Sequence, residues 1–183
     1  MLRLETERLV MRPPQASDAP IIQTVLSNFE ISKFLSRVDH PLPEGKAAGW
    51  IARNSSTSVA ADVTFALFDK TGNFCGVSSF DLDAGTDEPE LGYYLDVPYW
   101  GMGLMSEATN AALTWLFNNS DVTTVRSGAF GFNPASLAVQ YKFGFKDVKT
   151  EQRPCLARNG NFPLTVTSLA REDFMPWQRK RYA

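Results

Sequence analysis

Residues 90–108 read Glu90-Leu-Gly-Tyr-Tyr-Leu-Asp96, then Val97-Pro-Tyr-Trp-Gly101-Met-Gly103-Leu-Met-Ser-Glu-Ala108. The first seven are strand-like, the last five open an amphipathic helix, and a glycine-bearing turn joins them. A helix start has N–H groups without intrahelical partners and the positive end of the helix dipole. Glycines there let the backbone close on an anion, typically a phosphate. The stretch therefore predicts a site for a phosphorylated small molecule.

Upstream, Leu9–Arg12 reads as a strand ended by Pro13-Pro14. Ser17 or Asp18 can cap a helix whose apolar face includes Ile21, Ile22, Val25 and Leu26. A short helix is expected around Phe29–Leu35 and another over Glu44–Ala52. Asn54–Ser58 reads as a polar loop and Val63–Phe68 as a strand. Lys70–Asn73 is a hairpin turn with Phe74–Leu82 as the returning strand, and Asp83–Pro89 is an acidic loop. Downstream, the helix runs from Gly103 to Asn118, with Met105, Ala108, Ala112, Trp115 and Leu116 as its core stripe. A strand follows over Val122–Phe130. Asn133 caps a helix through Phe143, which Gly144 ends. Strands Phe145–Gln152 and Leu164–Ala170 flank the Asn159-Gly160 turn, and Glu172–Phe174 is a short tail element. This mixed order fits an α/β (α+β) sandwich better than a doubly wound sheet. No repeat or linker interrupts it, so residues 1–183 are expected to form a single domain.

Composition narrows the classes of function. The net charge of −2 over 183 residues makes no electrostatic case for nucleic acid or a membrane surface. Cys75 and Cys155 form no CxxC pair and read as reduced thiols. His40, the only histidine, reads as a loop residue, so no metal site is expected. No apolar run approaches the ~20 residues that span a bilayer. The mixed-charge start has no signal-peptide core, and a cytoplasmic location is expected.

Three owners of the glycine turn compete. A Walker loop needs GxxxxGK[ST], which the chain lacks. A dinucleotide fingerprint needs a third glycine where Ser106 stands, early in a βαβ unit. The third reading uses more of the sequence. Trp100-Gly-Met-Gly-Leu-Met105 resembles the [Gln/Arg]-x-x-Gly-x-[Gly/Ala] turn of the GNAT superfamily of acyl-CoA-dependent N-acyltransferases. Asn133-Pro-Ala-Ser136 followed by Lys142-Phe-Gly-Phe145 is similar to that family's N-x-x-[Ser/Ala]…K-x-G-F. Leu4-Glu-Thr-Glu-Arg-Leu-Val-Met-Arg-Pro13 with Asp18-Ala19 resembles the opening of the ribosomal-protein N-terminal acetyltransferase branch. Glu90-Leu-Gly-Tyr93, Tyr99–Gly103 and Glu107-Ala108 look like the same branch.

The resemblance implies a GNAT fold: a mixed, mostly antiparallel sheet with splayed central strands, flanked by helices. It implies acetyl-CoA as co-substrate, no metal, and an amine acceptor, with a protein N-terminus preferred over a small amine such as an antibiotic, polyamine or amino-acid derivative. A non-catalytic acyl-CoA-binding module is the alternative from another class. The protein is expected as monomer or homodimer. Trp100, Gly101, Met102, Gly103, Leu104 and Met105 would hold the pyrophosphate. Leu95, Val97, Asn133 and Ser136 would contact the rest of the cofactor. Trp100 and Met105 depart from the superfamily pattern but look familiar in the branch. Many members carry a tyrosine acid four residues before the glycine of the G-F pair. Here that position is Gln140, and Tyr141 lies about 100° further round the helix. The resemblance passes the role to Ser136.

Glu90 is the candidate base, on one face with Gly92 and Tyr94. Tyr94 and Phe34 are candidate acceptor contacts. An α-amine with a pKa near 7.7–8.0 is roughly one-third neutral at pH 7.5, whereas a lysine is only ~0.1% neutral, a cost of about 4 kcal/mol. A lone carboxylate therefore suits an α-amine better. Bland readings stand beside these: Glu90 as a solvated strand-end charge, Asn133 and Ser136 as an ordinary helix start, and Phe34 as core.

Overall fold

The computed structural model describes residues 2–54, 62–82 and 88–177. The polar loop after Asn54 and residues 83–87 of the acidic loop Asp83–Pro89 lie outside the described residues.

Eight strands form one sheet: β1 (Leu4–Glu5), β2 (Leu9–Arg12), β3 (Val63–Asp69), β4 (Phe74–Leu82), β5 (Pro89–Leu95), β6 (Thr124–Phe130), β7 (Lys146–Cys155) and β8 (Gly160–Ala170). Their order is β1-β2-β3-β4-β5-β6-β8-β7. Every neighbouring pair is antiparallel except β5 and β6, which run parallel and share the single register Glu90↔Arg126. The helices are α1 (Ala19–Leu26), α2 (Phe29–Ser32), α3 (Lys46–Arg53), α4 (Leu104–Asn119) and α5 (Pro134–Tyr141). This is the mixed, mostly antiparallel architecture that the resemblance implies.

Alternation divides the core between the two faces of the sheet. Leu9, Met11, Phe65 and Leu67 pack with Ala108, Ala112, Leu113 and Leu116 of α4. Ala66 and Val77, on the opposite face, pack with Ile22, Val25 and Ile51 of α1 and α3. Phe65 and Leu113 are fully covered, each contributing about 2–3 kcal/mol relative to exposure.

Several boundaries differ from the sequence reading. The pairing of Leu4-Glu5 with β2 escapes a pattern search because two residues carry no period. Ile21 is exposed, so the buried stripe of α1 is Ile22 and Val25. Asp18 is not a side-chain cap. It accepts two bonds from the Arg12 guanidinium, at 2.8 and 2.9 Å, and one from the Gln15 N–H at 2.7 Å. Burial works to raise this carboxyl, but those donors outweigh it and hold it below its ordinary value. The Arg12-Pro…Asp18 pattern is thus a locked corner between β2 and α1. Strands β7 and β8 are longer than expected because they continue to the turn itself, where Asn159 is left-handed at φ 51°.

Candidate active site

The site begins where β5 and β6 part. Beyond Glu90↔Arg126 the ladder stops, and the Ser127 hydroxyl donates to the Leu91 carbonyl at 2.8 Å in place of a backbone partner. From there the strands bank a cleft of about 560 Å³. Its walls include Gly92–Leu95, Gly128–Phe130, the glycine turn, the start of α5, and Phe34 after α2. Backbone groups on these two inner strand margins have no cross-strand partner, so they are free for a ligand with amides of its own.

The glycine turn closes the end of the cleft at the start of α4. Gly101 and Gly103 have φ of 73° and 75°, a left-handed backbone that other residues resist. Gly103 is the N-cap, so the first N–H groups of α4 point outward unpaired. Trp100 stabilises the turn with its own side chain, the indole N–H donating to the Leu95 carbonyl at 2.9 Å. Behind the turn, Arg8 donates to the Met102 carbonyl at 2.8 Å and to Glu107 at 2.7 Å. Glu107 also accepts from the Thr6 hydroxyl at 2.6 Å and the Arg8 N–H at 2.7 Å. Burial works to raise the Glu107 carboxyl, and these bonds together hold it below its ordinary value. The N-terminal Thr6-x-Arg8 segment is therefore a clamp on α4. It keeps the Glu107 charge occupied at a helix start that can then receive a different anion.

The structure brings Leu95, Trp100, Gly101, Gly103, Leu104, Met105, Asn133 and Ser136 into the cleft lining, with Glu90, Tyr94 and Phe34. Val97 and Met102 are not brought there. Both are exposed, and the Val97 N–H is taken by the Asp96 carboxylate at 2.8 Å. Asn133 accepts from the Ser136 N–H at 3.3 Å, so it caps α5 and lines the cleft at once. Gln140 is fully buried, accepting from Thr167 at 2.6 Å and donating to the Gly128 carbonyl and the Ser136 hydroxyl, each at 3.3 Å. Tyr141 is exposed and donates to Asp147 at 2.8 Å. Neither presents an acid to the cleft.

Arg153, Lys142 and Phe132 are among the further residues of the cleft lining that sequence reasoning did not assign. Arg153 of β7 donates to Glu90 at 2.6 Å and to Glu151 at 2.8 Å. Burial works against its charge, and those two carboxylates more than restore it. Lys142, the lysine of K-x-G-F, donates to the Ser106 hydroxyl at 3.0 Å, placing a cation at the first turn of α4. Phe132 stands 6.1 Å from Phe34, which in turn stands 6.3 Å from Trp100, so aromatic rings link the ends of both banks. On the Glu90 face, Asp81 lies directly across the strand pair from Glu90. Burial pushes its carboxyl up, with the Asp62 and Glu90 charges adding to the rise and Ser79 and Arg37 opposing it. A second hollow, of about 610 Å³ beside Thr6, Glu107 and Trp177, shares no residue with the cleft.

The arrangement offers an anion cradle, unpaired strand margins, a carboxylate and a hydroxyl in one cavity. Among the described residues no group of His, Cys, Asp and Glu could hold a metal ion, and no helix is long and apolar enough to cross a membrane.

Residues 8–146 match the family model described as an acetyltransferase (GNAT) domain. None of the curated protein sequences matches the chain. Among solved structures, a GNAT-family acetyltransferase from Bacillus anthracis is similar over 93% of this chain and 99% of its own, with 17% identity and a TM-score of 0.79. The Salmonella typhimurium acetyltransferase that modifies the N-terminal serine of the 50S protein L7/L12 aligns over 90% and 96%, with 19% identity and a TM-score of 0.76. The spermidine N-acetyltransferase of Vibrio cholerae, in complex with CoA and spermine, aligns over 92% and 98%, with 14% identity and a TM-score of 0.77.

Proposed function

Since the chain belongs to the GNAT acetyltransferase family, we propose that it acetylates the α-amine of a protein N-terminus, of the ribosomal-protein type, by direct attack in a ternary complex with acetyl-CoA. The observation that carries this reading is the cleft between β5 and β6, with its cradle at the start of α4 and Glu90 and Ser136 in its lining.

Bound acetyl-CoA supplies an activated acetyl thioester. The protein's residues do the rest. The N–H groups of Gly101, Gly103, Leu104, Met105 and Ser106 receive the pyrophosphate, and Lys142 adds a cation beside them. Leu95 and the open margin of β5 receive the pantetheine amides, with Asn133 opposite. Val97 and Met102 shape the turn without lining the cleft. A β5 N–H polarises the thioester carbonyl. Glu90, held by Arg153, takes the amine proton directly or through water. The Ser136 hydroxyl stabilises the departing sulfur. Phe34 and Tyr94 line the acceptor side, and Gly92 leaves room beside Glu90.

An α-amine suits this equipment because it is already partly neutral near pH 7.5, so one carboxylate suffices. A small polycationic amine is the second reading. The specific support for it is the pair of carboxylates, Asp81 and Glu90, facing each other across β4 and β5. A panel of peptides with free N-termini and of polyamines, read by thiol release from acetyl-CoA, decides between them. Acetylation of peptides is expected; turnover of spermidine with none of any peptide overturns the N-terminal acceptor.

A further inference from the structure

We propose that Tyr93 is a positioning residue that aims the Ser136 hydroxyl at the thioester sulfur. The inference rests on the acetyltransferase reading above and deepens it.

The Tyr93 phenolic oxygen lies 3.0 Å from the Ser136 carbonyl oxygen and 3.1 Å from the Ser136 Oγ. A carbonyl can only accept, so the phenol donates to it and the Ser136 hydroxyl donates to the phenol. Gln140 Nε2 donates to the same Oγ at 3.3 Å. In this arrangement the Ser136 proton points at Tyr93. A single exchange of hydrogen positions redirects it. The phenolic O–H turns from the Ser136 carbonyl to the Ser136 Oγ, both within reach of one oxygen, and no heavy atom moves. Ser136 then accepts from Gln140 and Tyr93 and has its own proton free for the cleft. A hydroxyl that accepts two bonds donates more strongly. Negative charge gathering on sulfur drives the exchange, because a hydrogen bond to an ion outweighs one between neutral groups.

The neighbouring groups leave Tyr93 this part. Gln140 occupies the helix position where a tyrosine acid would stand, and it is fixed by Thr167 and the Gly128 carbonyl. Burial pushes the Tyr93 phenol up to about 12, against the opposing hydrogen bonds of Ser136 and Gln140. Passing its proton to a thiolate of ordinary basicity, pKa ~8.5, is uphill by about three powers of ten. Tyr93 therefore keeps its proton and acts through Ser136. No covalent bond to either residue forms or breaks. The electron pair of the cleaved C–S bond stays on sulfur, and the proton lost by the amine leaves through Glu90 or water.

The test is the ionisation of the thiol of CoA bound without acceptor, followed by thiolate ultraviolet absorbance, in the wild type, Tyr93→Phe, Ser136→Ala and the double variant. The wild type is expected to lower the bound thiol pKa relative to free CoA. Tyr93→Phe should raise it by about 0.7 unit and lower kcat about fivefold, the loss of one hydrogen bond, with CoA affinity and both KM values unchanged. Tyr93→Phe should add nothing on the Ser136→Ala background. If Ser136→Ala shifts the thiol and Tyr93→Phe does not, or if the two effects add, Tyr93 is only a structural tie between β5 and α5. If Ser136→Ala shifts nothing, or the wild type does not bind CoA, the underlying reading falls and takes this one with it.

Discussion

Two arginine–glutamate pairs stand in and behind the cleft, and they are built differently. Glu107, in the first turn of α4, is nearly covered and takes three hydrogen bonds, from the Thr6 hydroxyl, the Arg8 N–H and the Arg8 guanidinium. Glu90, at the start of β5, is more exposed in its side chain, 23% against 9%, and its arginine is shared with Glu151. A carboxylate held by three fixed donors is a fastener. One that shares its donor and faces a cavity is held less firmly. The same residue types therefore hold the turn together at one place and border the open cleft at the other.

Removing Glu107 should do most damage. Glu107→Ala leaves Arg8 without its partner beside the core and should cost about 3 kcal/mol of stability, read by chemical denaturation. The same pair sets an acid limit. The folded carboxyl titrates below its unfolded value, so its stabilisation is full above about pH 4.3 and is lost as pH falls through the lowered value. Denaturation midpoints of the wild type should drop on acidification, and Glu107→Gln should flatten that slope. A variant as acid-sensitive as the wild type breaks the contrast from the fastener's side.

Glu90→Gln should leave stability and CoA affinity near wild type and lower kcat/KM about a hundredfold, a loss typical of general-base removal. The loss should be greatest at low pH, where the amine is most protonated, and an unchanged pH–rate profile removes Glu90 from the base role. The smallest effect is expected at the cradle. Lys142→Met should weaken CoA binding about fivefold by calorimetry, and added salt should shrink that difference, because the backbone N–H groups remain. Unaltered affinity at low salt would sharpen the cradle to backbone alone.

Much of this was legible in the sequence for physical reasons of range. The glycine turn, the α4 stripe, the Asn133 cap and the Lys70–Asn73 hairpin are written within a few residues of themselves, and each falls where periodicity or turn chemistry puts it. The clamp was visible only as a resemblance, since Thr6 meets Glu107 across 101 positions. Arg153 had no signal at all. It lies 63 residues from Glu90, in a strand whose alternation reads as solvated charge. Tyr93 looked like a strand aromatic, and its phenol acquires a second meaning only from where α5 comes to rest.

The parting of β5 and β6 gives an eight-stranded sheet four margins where it would otherwise have two. The outer pair is made unattractive to other chains. β1 is two residues long, and β7 carries Lys146, Asp147, Lys149, Glu151, Arg153 and Pro154. The inner pair is not defended in this way. Gly92-Tyr-Tyr-Leu95 and Gly128-Ala-Phe130 present bare, uncharged backbone. On the rim such sequences would invite a foreign strand and aggregation. Turned inward, beside the Phe34, Trp100 and Phe132 rings, they are kept from such a strand.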